Sequence, residues 1–372
     1  MTPRERVRTT LSHREPDRVP LDLGGRSTAI EIEAYRDLVE YLGLDSESTC
    51  FLRSHAVIDE PVAARLRIDT RWVRWIKTDA WKNENGDSVF VDRWGVPWRK
   101  RCGTLYHELD TPPLANAEVH ELRSVTFPDL VDDEIAQKTR AQAEQLSEGT
   151  EFSVSSDLIG AGVFERAWYL RGFEQFMIDV MCEEEAIHGF LRRIVDHQLA
   201  GYDALLSAIG HRIETVWMTD DVATQDSLIV SPEVYRRVVR PYQKELIEFI
   251  QSHGVTVVYH SCGAVRPLLP DLIEIGVRVF HPLQTTARGM DPRDLKRDFG
   301  SELVFWGGGC DTETLQNGSP ADVADEVKER IEILAPGGGF VFCPTHCIQP
   351  YTPAENILAM VDTLHAYGVS VS

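Results

Sequence analysis

Residues 256–282 read TVVYHSCGAVRPLLPDLIEIGVRVFHP. The run Thr256 to Cys262 is rich in β-branched and aromatic residues and reads as a strand. Val265 to Ile275 carries apolar residues at the i, i+3, i+4 spacing of a helix, and Val277 to Pro282 returns to strand character. Strand, glycine turn, helix and strand in so short a stretch form a βα unit, the crossover that parallel strands require. Outward from this unit the alternation repeats. Further strands are expected at Val19 to Leu23, Ile68 to Ile76, Phe152 to Ser156, Thr215 to Thr219, Leu303 to Trp306 and Phe340 to Cys343, which brings the count to eight. Helices are expected at Ile32 to Leu42, Asp132 to Leu146, Glu183 to Ile209, Pro232 to His253, Pro292 to Phe299, Pro320 to Leu334 and Pro353 to Tyr367. Ser231-Pro232, Asp291-Pro292, Ser319-Pro320 and Thr352-Pro353 each set a capping residue before proline at a helix start. The pattern predicts an α/β fold, one (β/α)8 TIM-type barrel over residues 1–372 with an N-terminal extension.

The rhythm breaks between Trp81 and Asp129. Asn85-Gly86-Asp87 reads as a hairpin turn and Trp94-Gly95-Val96-Pro97-Trp98 continues the β pattern, so residues 81–129 are expected to be a β insertion after the second strand, either a lid or a decorated loop. The composition is that of a folded globular protein, with 43% hydrophobic and 26% charged residues. A net charge of −21 argues against a nucleic-acid partner. No apolar run has the length to span a bilayer and the first residues lack a secretory pattern, so a cytoplasmic protein without membrane contact is expected. Seven cysteines without a dense framework favour free thiols or metal ligands over disulfides.

A barrel gathers its reactive groups at the carboxyl ends of its strands. The fifth strand ends Tyr259-His260-Ser261-Cys262, and alternation sends His260 and Cys262 to one face, a chelating pair suited to zinc. The eighth ends Cys343-Pro344-Thr345-His346-Cys347. Cys343 lies on the strand, with His346 and Cys347 in the loop above it; any one of the three would supply a third ligand. Asp220 and Asp221 follow the fourth strand, and mutual repulsion suits one of them to acid or base work. Gln225, Gln284 after the sixth strand, Asp311 after Gly307-Gly308-Gly309, Gln349, and Arg26 after Gly24-Gly25 are candidate substrate contacts. Phosphate-transfer and serine-hydrolase motifs are absent from the sequence.

Taken together, several motifs resemble the uroporphyrinogen decarboxylase superfamily, which includes cobamide-dependent methyltransferases. They are Arg14-Glu15-Pro16-Asp17-Arg18-Val19-Pro20, Asp220-Asp221 with Gln225, Ser231-Pro232-Glu233, His260-Ser261-Cys262-Gly263, Gly307-Gly308-Gly309 before Asp311, and His346-Cys347-Ile348-Gln349-Pro350 before Thr352-Pro353-Ala354-Glu355-Asn356. The resemblance covers nearly the whole chain and implies the barrel already reached by counting strands. The arginine-bearing Met-Arg-Gln-Ala-Gly-Arg stretch of the true decarboxylases is missing, with only Gly24-Gly25-Arg26 in its neighbourhood.

The methyltransferase branch implies zinc held by His260, Cys262 and His346 or Cys347, a thiol acceptor, and a methyl group delivered from a corrinoid on a partner protein. Asp220, Asp221, Gln225 and Gln284 would orient the acceptor. A decarboxylase-like lyase would instead use Asp220 or Asp221 to stabilise a cationic intermediate and His346 to manage protons. A third reading is a corrinoid-, tetrapyrrole- or metal-binding protein that catalyses nothing. The expected partners are a small-molecule substrate, the corrinoid protein and a second copy of the chain.

Overall fold

The computed structural model describes residues 1–51, 54–74, 82–84, 86–104, 107–157, 160 and 162–369. Its centre is a seven-stranded parallel sheet in the spatial order Phe340–Val341, Val304–Trp306, Val279–His281, Thr256–His260, Thr215–Thr219, Ser153–Ser156, Thr70–Val73. Successive strands are neighbours throughout. The expected strand Ile68 to Ile76 is observed at Thr70–Val73, and its last residues, 75 and 76, lie outside the described residues.

The segment expected to be the first strand, Val19 to Leu23, forms a single parallel bridge, Leu21 with Phe342, instead of a ladder. Pro20 has no N–H to give, and its carbonyl accepts from Phe342 N while Asp22 N donates to Phe342 O, both at 2.9 Å. On its other side Leu21 O accepts from Asp69 N at 2.9 Å. The segment therefore runs between the two outer strands of the sheet. Asp69 anchors it, accepting from Leu21 N at 2.8 Å, from Arg6 Nη1 at 2.5 Å and from both terminal nitrogens of Arg18 at 2.8 Å.

Inside the curl of the sheet, the alternate strand residues Trp72, Trp217, Val258, Val279, Val304, Trp306, Val341 and Cys343 form one buried cluster. Asp22 joins this interior and accepts from the indole N–H groups of Trp72 at 3.0 Å and Trp306 at 2.9 Å. Outside, the larger core lies between the sheet and helices that include Ile32–Leu42, Glu184–Ile209, Arg240–Ser252, Pro320–Leu334 and Ala354–Tyr367. Ser231, Asp291 and Ser319 cap their helices through side-chain oxygens as expected. Thr352 does not: its hydroxyl donates to Gln349 O, and Pro353 occupies the cap position of the last helix.

Between the Thr70–Val73 and Ser153–Ser156 strands stands a separate antiparallel sheet of Lys82–Glu84, Asp87–Val91, Pro97–Lys100 and Glu108–Leu109. Of the residues expected to open this region, Trp81 and Asn85 lie outside the described residues. Asp92 ties the small sheet to the body of the protein: its Oδ2 pairs with buried Arg166 at 2.9 Å, whose guanidinium also lies over the Trp94 ring. Among the described residues no helix is long and apolar enough to cross a membrane.

Candidate active site

The strand Thr256–His260 and the two residues after it continue the inward alternation, so His260 and Cys262 both face the mouth of the curled sheet. Cys262 Sγ stands 3.4 Å from His260 Nε2. His346, in the loop that follows Phe340–Val341, brings its ring to 5.8 Å from that of His260, edge on. One ligand atom from each of His260, Cys262 and His346 lies within 4.8 Å of the others. Zn–S and Zn–N bonds of about 2.3 and 2.05 Å at a tetrahedral angle set sulfur and nitrogen roughly 3.6 Å apart, so the His260–Cys262 spacing fits one ion. Three ligands leave the fourth position for an incoming group.

His281, at the end of the next strand, supports the cluster from below. Its Nδ1 meets His260 Nδ1 at 2.7 Å, the two rings stack at 4.8 Å, and Trp217 closes over the other side of His281 at 4.7 Å. With Nδ1 so engaged, His260 has Nε2 left to face Cys262. Burial, with the charge of His346 adding to it, holds both His260 and His281 far below the usual imidazole range, hence neutral and able to serve as ligand and ligand support.

Of the three candidates for a third ligand, His346 is the one that joins the group. Cys343 is buried inside the sheet among the tryptophans. Cys347 lies outside the three-residue group, in a small cluster with Ala29 and Phe51, its Sγ 3.2 Å from Arg26 O and 3.8 Å from His55 Nε2, and it also bonds to the His346 side chain. Burial opposes its ionisation, but His346 and His55 outweigh that and bring it down to about 6. Glu31 backs His55 at 3.3 Å. Neither His55 nor Glu31 was signalled by the sequence, since nothing in the spacing links them to Cys347.

The two aspartates also separate. Asp220, expected as an acid or base, is fully buried, and burial first, then repulsion from Glu165, pushes its pKa up to about 7. Its carboxylate caps the Val163–Arg171 helix, accepting from Val163 N, Phe164 N and Glu165 N at 2.9, 3.0 and 2.8 Å, and also accepts from Gln243 Nε2 at 2.7 Å. Asp221 faces the mouth, accepting from Cys262 N at 2.7 Å with the same oxygen that stands 3.8 Å from His260 Nε2. Beside it is Glu165, a residue the sequence reading missed. Glu165 sits in the first turn of the Val163–Arg171 helix, accepts from Tyr169 Oη at 2.7 Å and Thr219 Oγ1 at 3.2 Å, and is buried. Burial first, then repulsion from Asp221, pushes its pKa up to about 7.

A cleft of about 340 Å³ opens on this cluster, lined by Cys262 and His346 together with Gln225, Gln284, Asp311 and Thr345. Gln284 Oε1 accepts from Gly263 N at 2.7 Å and so fixes the turn after Cys262. Asp311 is committed to structure as well as to the cleft wall, accepting from Thr285 Oγ1 and Thr345 Oγ1 at 2.6 and 2.7 Å and pairing with Arg330 at 3.3 Å. Gln225 is exposed at the rim. Gln349 does not line this cleft; its amide donates to Cys347 O at 2.8 Å. Arg26 is half-buried, and its charge helps to depress the pKa of His260.

A structure described as a methyltransferase from Methanosarcina mazei superposes on the chain with a TM-score of 0.68 at 17% identity, covering 99% of each chain, which is a likeness of fold. Among curated proteins, the methylcobamide:CoM methyltransferase MtaA of Methanosarcina barkeri is 27% identical over 215 residues, 58% of this chain and 56% of that protein. The methylcobamide:CoM methyltransferase MtbA of Methanosarcina acetivorans is 24% identical over 226 residues, 59% of this chain and 60% of that protein. A uroporphyrinogen decarboxylase of Anaeromyxobacter sp. is 25% identical over 137 residues, 34% of this chain and 35% of that protein. The similarity thus spans somewhat over half the length of the methyltransferases. The family model for uroporphyrinogen decarboxylase (URO-D) matches residues 107–367, well over half of the chain, and on that match the chain belongs to the uroporphyrinogen decarboxylase family.

Proposed function

We propose that the chain is a zinc-dependent methyltransferase that passes a methyl group from a corrinoid, carried by a partner protein, to a thiol. The observation that carries this reading is the His260, Cys262 and His346 cluster at the mouth of the sheet, whose donor set and spacing suit zinc. Curated relatives named as methylcobamide:CoM methyltransferases support the same chemistry. Zinc at this cluster would supply a Lewis acid that holds the acceptor thiol as its thiolate at neutral pH. The chain's own residues prepare for it. His281 fixes His260, Asp221 fixes the Cys262 backbone, and the Glu165–Asp221 pair offers a place for the proton that the thiol loses. Gln225, Gln284 and Asp311 line the cleft through which the acceptor or donor would approach.

The remaining assignments follow this reading. Val19 to Leu23 acts as an eighth stave closing the cylinder, and residues 1–372 act as one barrel with the 81–129 region inserted over its mouth. Free thiols and a corrinoid protein partner suit the cytoplasm. A decarboxylase-like lyase is less well supported, because Asp220 spends its carboxylate on a helix N-terminus.

The test is zinc stoichiometry with thiol methylation from methylcobalamin. Native protein is expected to bind close to one zinc per chain and to methylate a small thiol. His260→Ala, Cys262→Ala and His346→Ala are each expected to lose most of the metal and the activity, and Cys347→Ser to retain the metal. Full activity in metal-free protein, or zinc retained by all three alanine variants, would overturn the proposal.

A further inference from the structure

The helix Val163–Arg171, which carries Glu165, is fastened to two different parts of the chain. The barrel holds its first turn through the Asp220 carboxylate. The inserted region 81–129 holds its middle and its last turn. Leu114 N donates to Leu170 O at 2.8 Å, and Arg171 Nη1 donates to Leu114 O and Ala117 O at 2.8 and 2.6 Å. Between these ends Arg166 reaches Asp92 at 2.9 Å, a pair largely closed to solvent.

Asp92 organises this contact. It lies in the turn between the strands Asp87–Val91 and Pro97–Lys100, where its Oδ1 accepts from Trp94 N at 2.9 Å and Val96 N at 3.0 Å. Its Oδ2 accepts from Arg166 Nη1 and, at 3.3 Å, from the indole N–H of Trp98. Trp98 and Arg166 thereby flank Tyr169: the indole meets the phenol ring edge on at 5.0 Å, and the guanidinium lies 5.6 Å from its centre. A helical step of four residues puts Tyr169 on the face of Glu165, and its Oη donates to Glu165 Oε1 at 2.7 Å. The contacts run unbroken from the small sheet to a carboxyl of the candidate active site.

That carboxyl needs holding. Asp220, Asp221 and the Cys262 thiol act on it from the barrel, and Tyr169, with Arg166 beside it, from its own helix. Neighbouring acids repel when ionised, and a glutamate with three rotatable bonds swings away from its neighbour unless it is tied. Thr219 ties one oxygen at 3.2 Å, and the shorter bond, from Tyr169, ties the other.

We infer that Tyr169 is a positioning residue for Glu165 and that the inserted sheet, through Trp98 and Asp92, holds Tyr169 in place, so that the insertion is a working part of the site and not a detachable cover. The use of Glu165 as a proton acceptor rests on the proposed function; the chain of contacts that positions it does not.

The experiment uses the full chain with Tyr169→Phe, Trp98→Leu, the double variant and Glu165→Gln. At about pH 6, below the pKa of about 7, the infrared carbonyl band of Glu165 is isolated as the difference from Glu165→Gln. Tyr169→Phe keeps the ring and removes the O–H, and is expected to move the band to higher wavenumber, as a carboxyl freed of a hydrogen bond does. Trp98→Leu is expected to move it the same way by less, and the double variant no further than Tyr169→Phe alone, because Trp98 acts through the phenol. In methyl transfer from methylcobalamin to a small thiol by the zinc-loaded protein, Tyr169→Phe is expected to lower kcat about tenfold with KM within about twofold of wild type, and the double variant to match it. Effects that add in the double variant, or a band that neither single variant moves, would overturn the inference. If no thiol is methylated yet the band moves as expected, the methyl-transfer reading fails and the positioning stands. If Trp98→Leu melts far below the wild type, Trp98→Phe takes its place in the cycle.

Discussion

Asp220 and Asp221 are neighbours in the chain with opposite employment. The sequence displays them as one acidic pair after a strand, and nothing local says which is buried, because the three N–H groups that claim Asp220 come from residues 163–165. Asp220→Ala would strand those donors and the Gln243 amide in a dry site, and a loss of about 3 kcal/mol or more in urea unfolding is expected. Asp221→Asn keeps an acceptor for Cys262 N and is expected to stay within about 1 kcal/mol of wild type while methyl transfer falls. Glu165 makes a pH prediction. Its pKa is raised from 4.5 in the unfolded chain to about 7 in the fold, so between those values the folded state holds a proton that the unfolded state has released. Stability contributed by this group is full below about pH 4.5 and is lost as the pH rises through about 7. Glu165→Gln removes that dependence, so its melting temperature is expected to decline less than that of wild type between pH 5 and 8. An identical slope would show that Glu165 is ionised throughout. His260 and Cys262 were legible because a two-residue period needs only the strand itself; His281 was passed over because one histidine beside a proline carries no periodic signal.

At the scale of elements, seven of the eight expected strands pair as ladders, the serine-rich Ser153–Ser156 included, and the departures have local causes. Val19 to Leu23 reads as a strand by hydropathy, but Pro20 removes a ladder donor and Gly24-Gly25 ends the extended run, leaving one bridge. What fixes this segment is Asp69 with Arg6 and Arg18, contacts between residues up to 63 positions apart that no window of sequence shows. Asp69→Ala would leave the buried Arg18 guanidinium without a carboxylate and Arg6 with Asp17 alone, and a loss of about 3 kcal/mol or more is expected by chemical denaturation. The helix Val163–Arg171 was also missed. It is short, its moment is blurred because Val163, Phe164, Glu165, Arg166 and Ala167 are all buried, and its cap is the distant Asp220 in place of a neighbouring serine or aspartate. Gly162 makes that docking geometry necessary, since a Cβ there would fall 2.3 Å from Thr219 O and 2.5 Å from Asp220 Cγ. Gly162→Ala is therefore expected to displace the start of the helix and Glu165 with it, lowering activity and costing more than about 1 kcal/mol of stability through the clash.

For the molecule as a whole, the question is whether the candidate metal site is made by the fold or makes it. His260 and His346 come from opposite ends of a parallel sheet segment that reaches from Thr256–His260 to Phe340–Val341, and each is held without help from an ion. His260 leans on His281, Cys262 N is bonded to Asp221, and the loop carrying His346 is pinned by Thr345 N to Cys310 O at 2.9 Å and by Thr345 Oγ1 to Asp311. The buried interior beneath them, with Trp72, Trp217 and Trp306 interlocked around Asp22, contributes none of the three clustered ligands. A small zinc-folded domain loses its structure with its ion, but here the ion would add to a framework that already stands. Chelation is therefore expected to leave the far-ultraviolet dichroism unchanged and to lower the melting temperature by several degrees, in line with about 4 kcal/mol from a ligand present at a thousandfold its Kd. Adding zinc back should restore the melting temperature in the wild type and not in His346→Ala. Collapse of the dichroism on chelation would mean that the metal holds the sheet closed and that the cluster is structural, while an unchanged melting temperature would mean that no ion binds there.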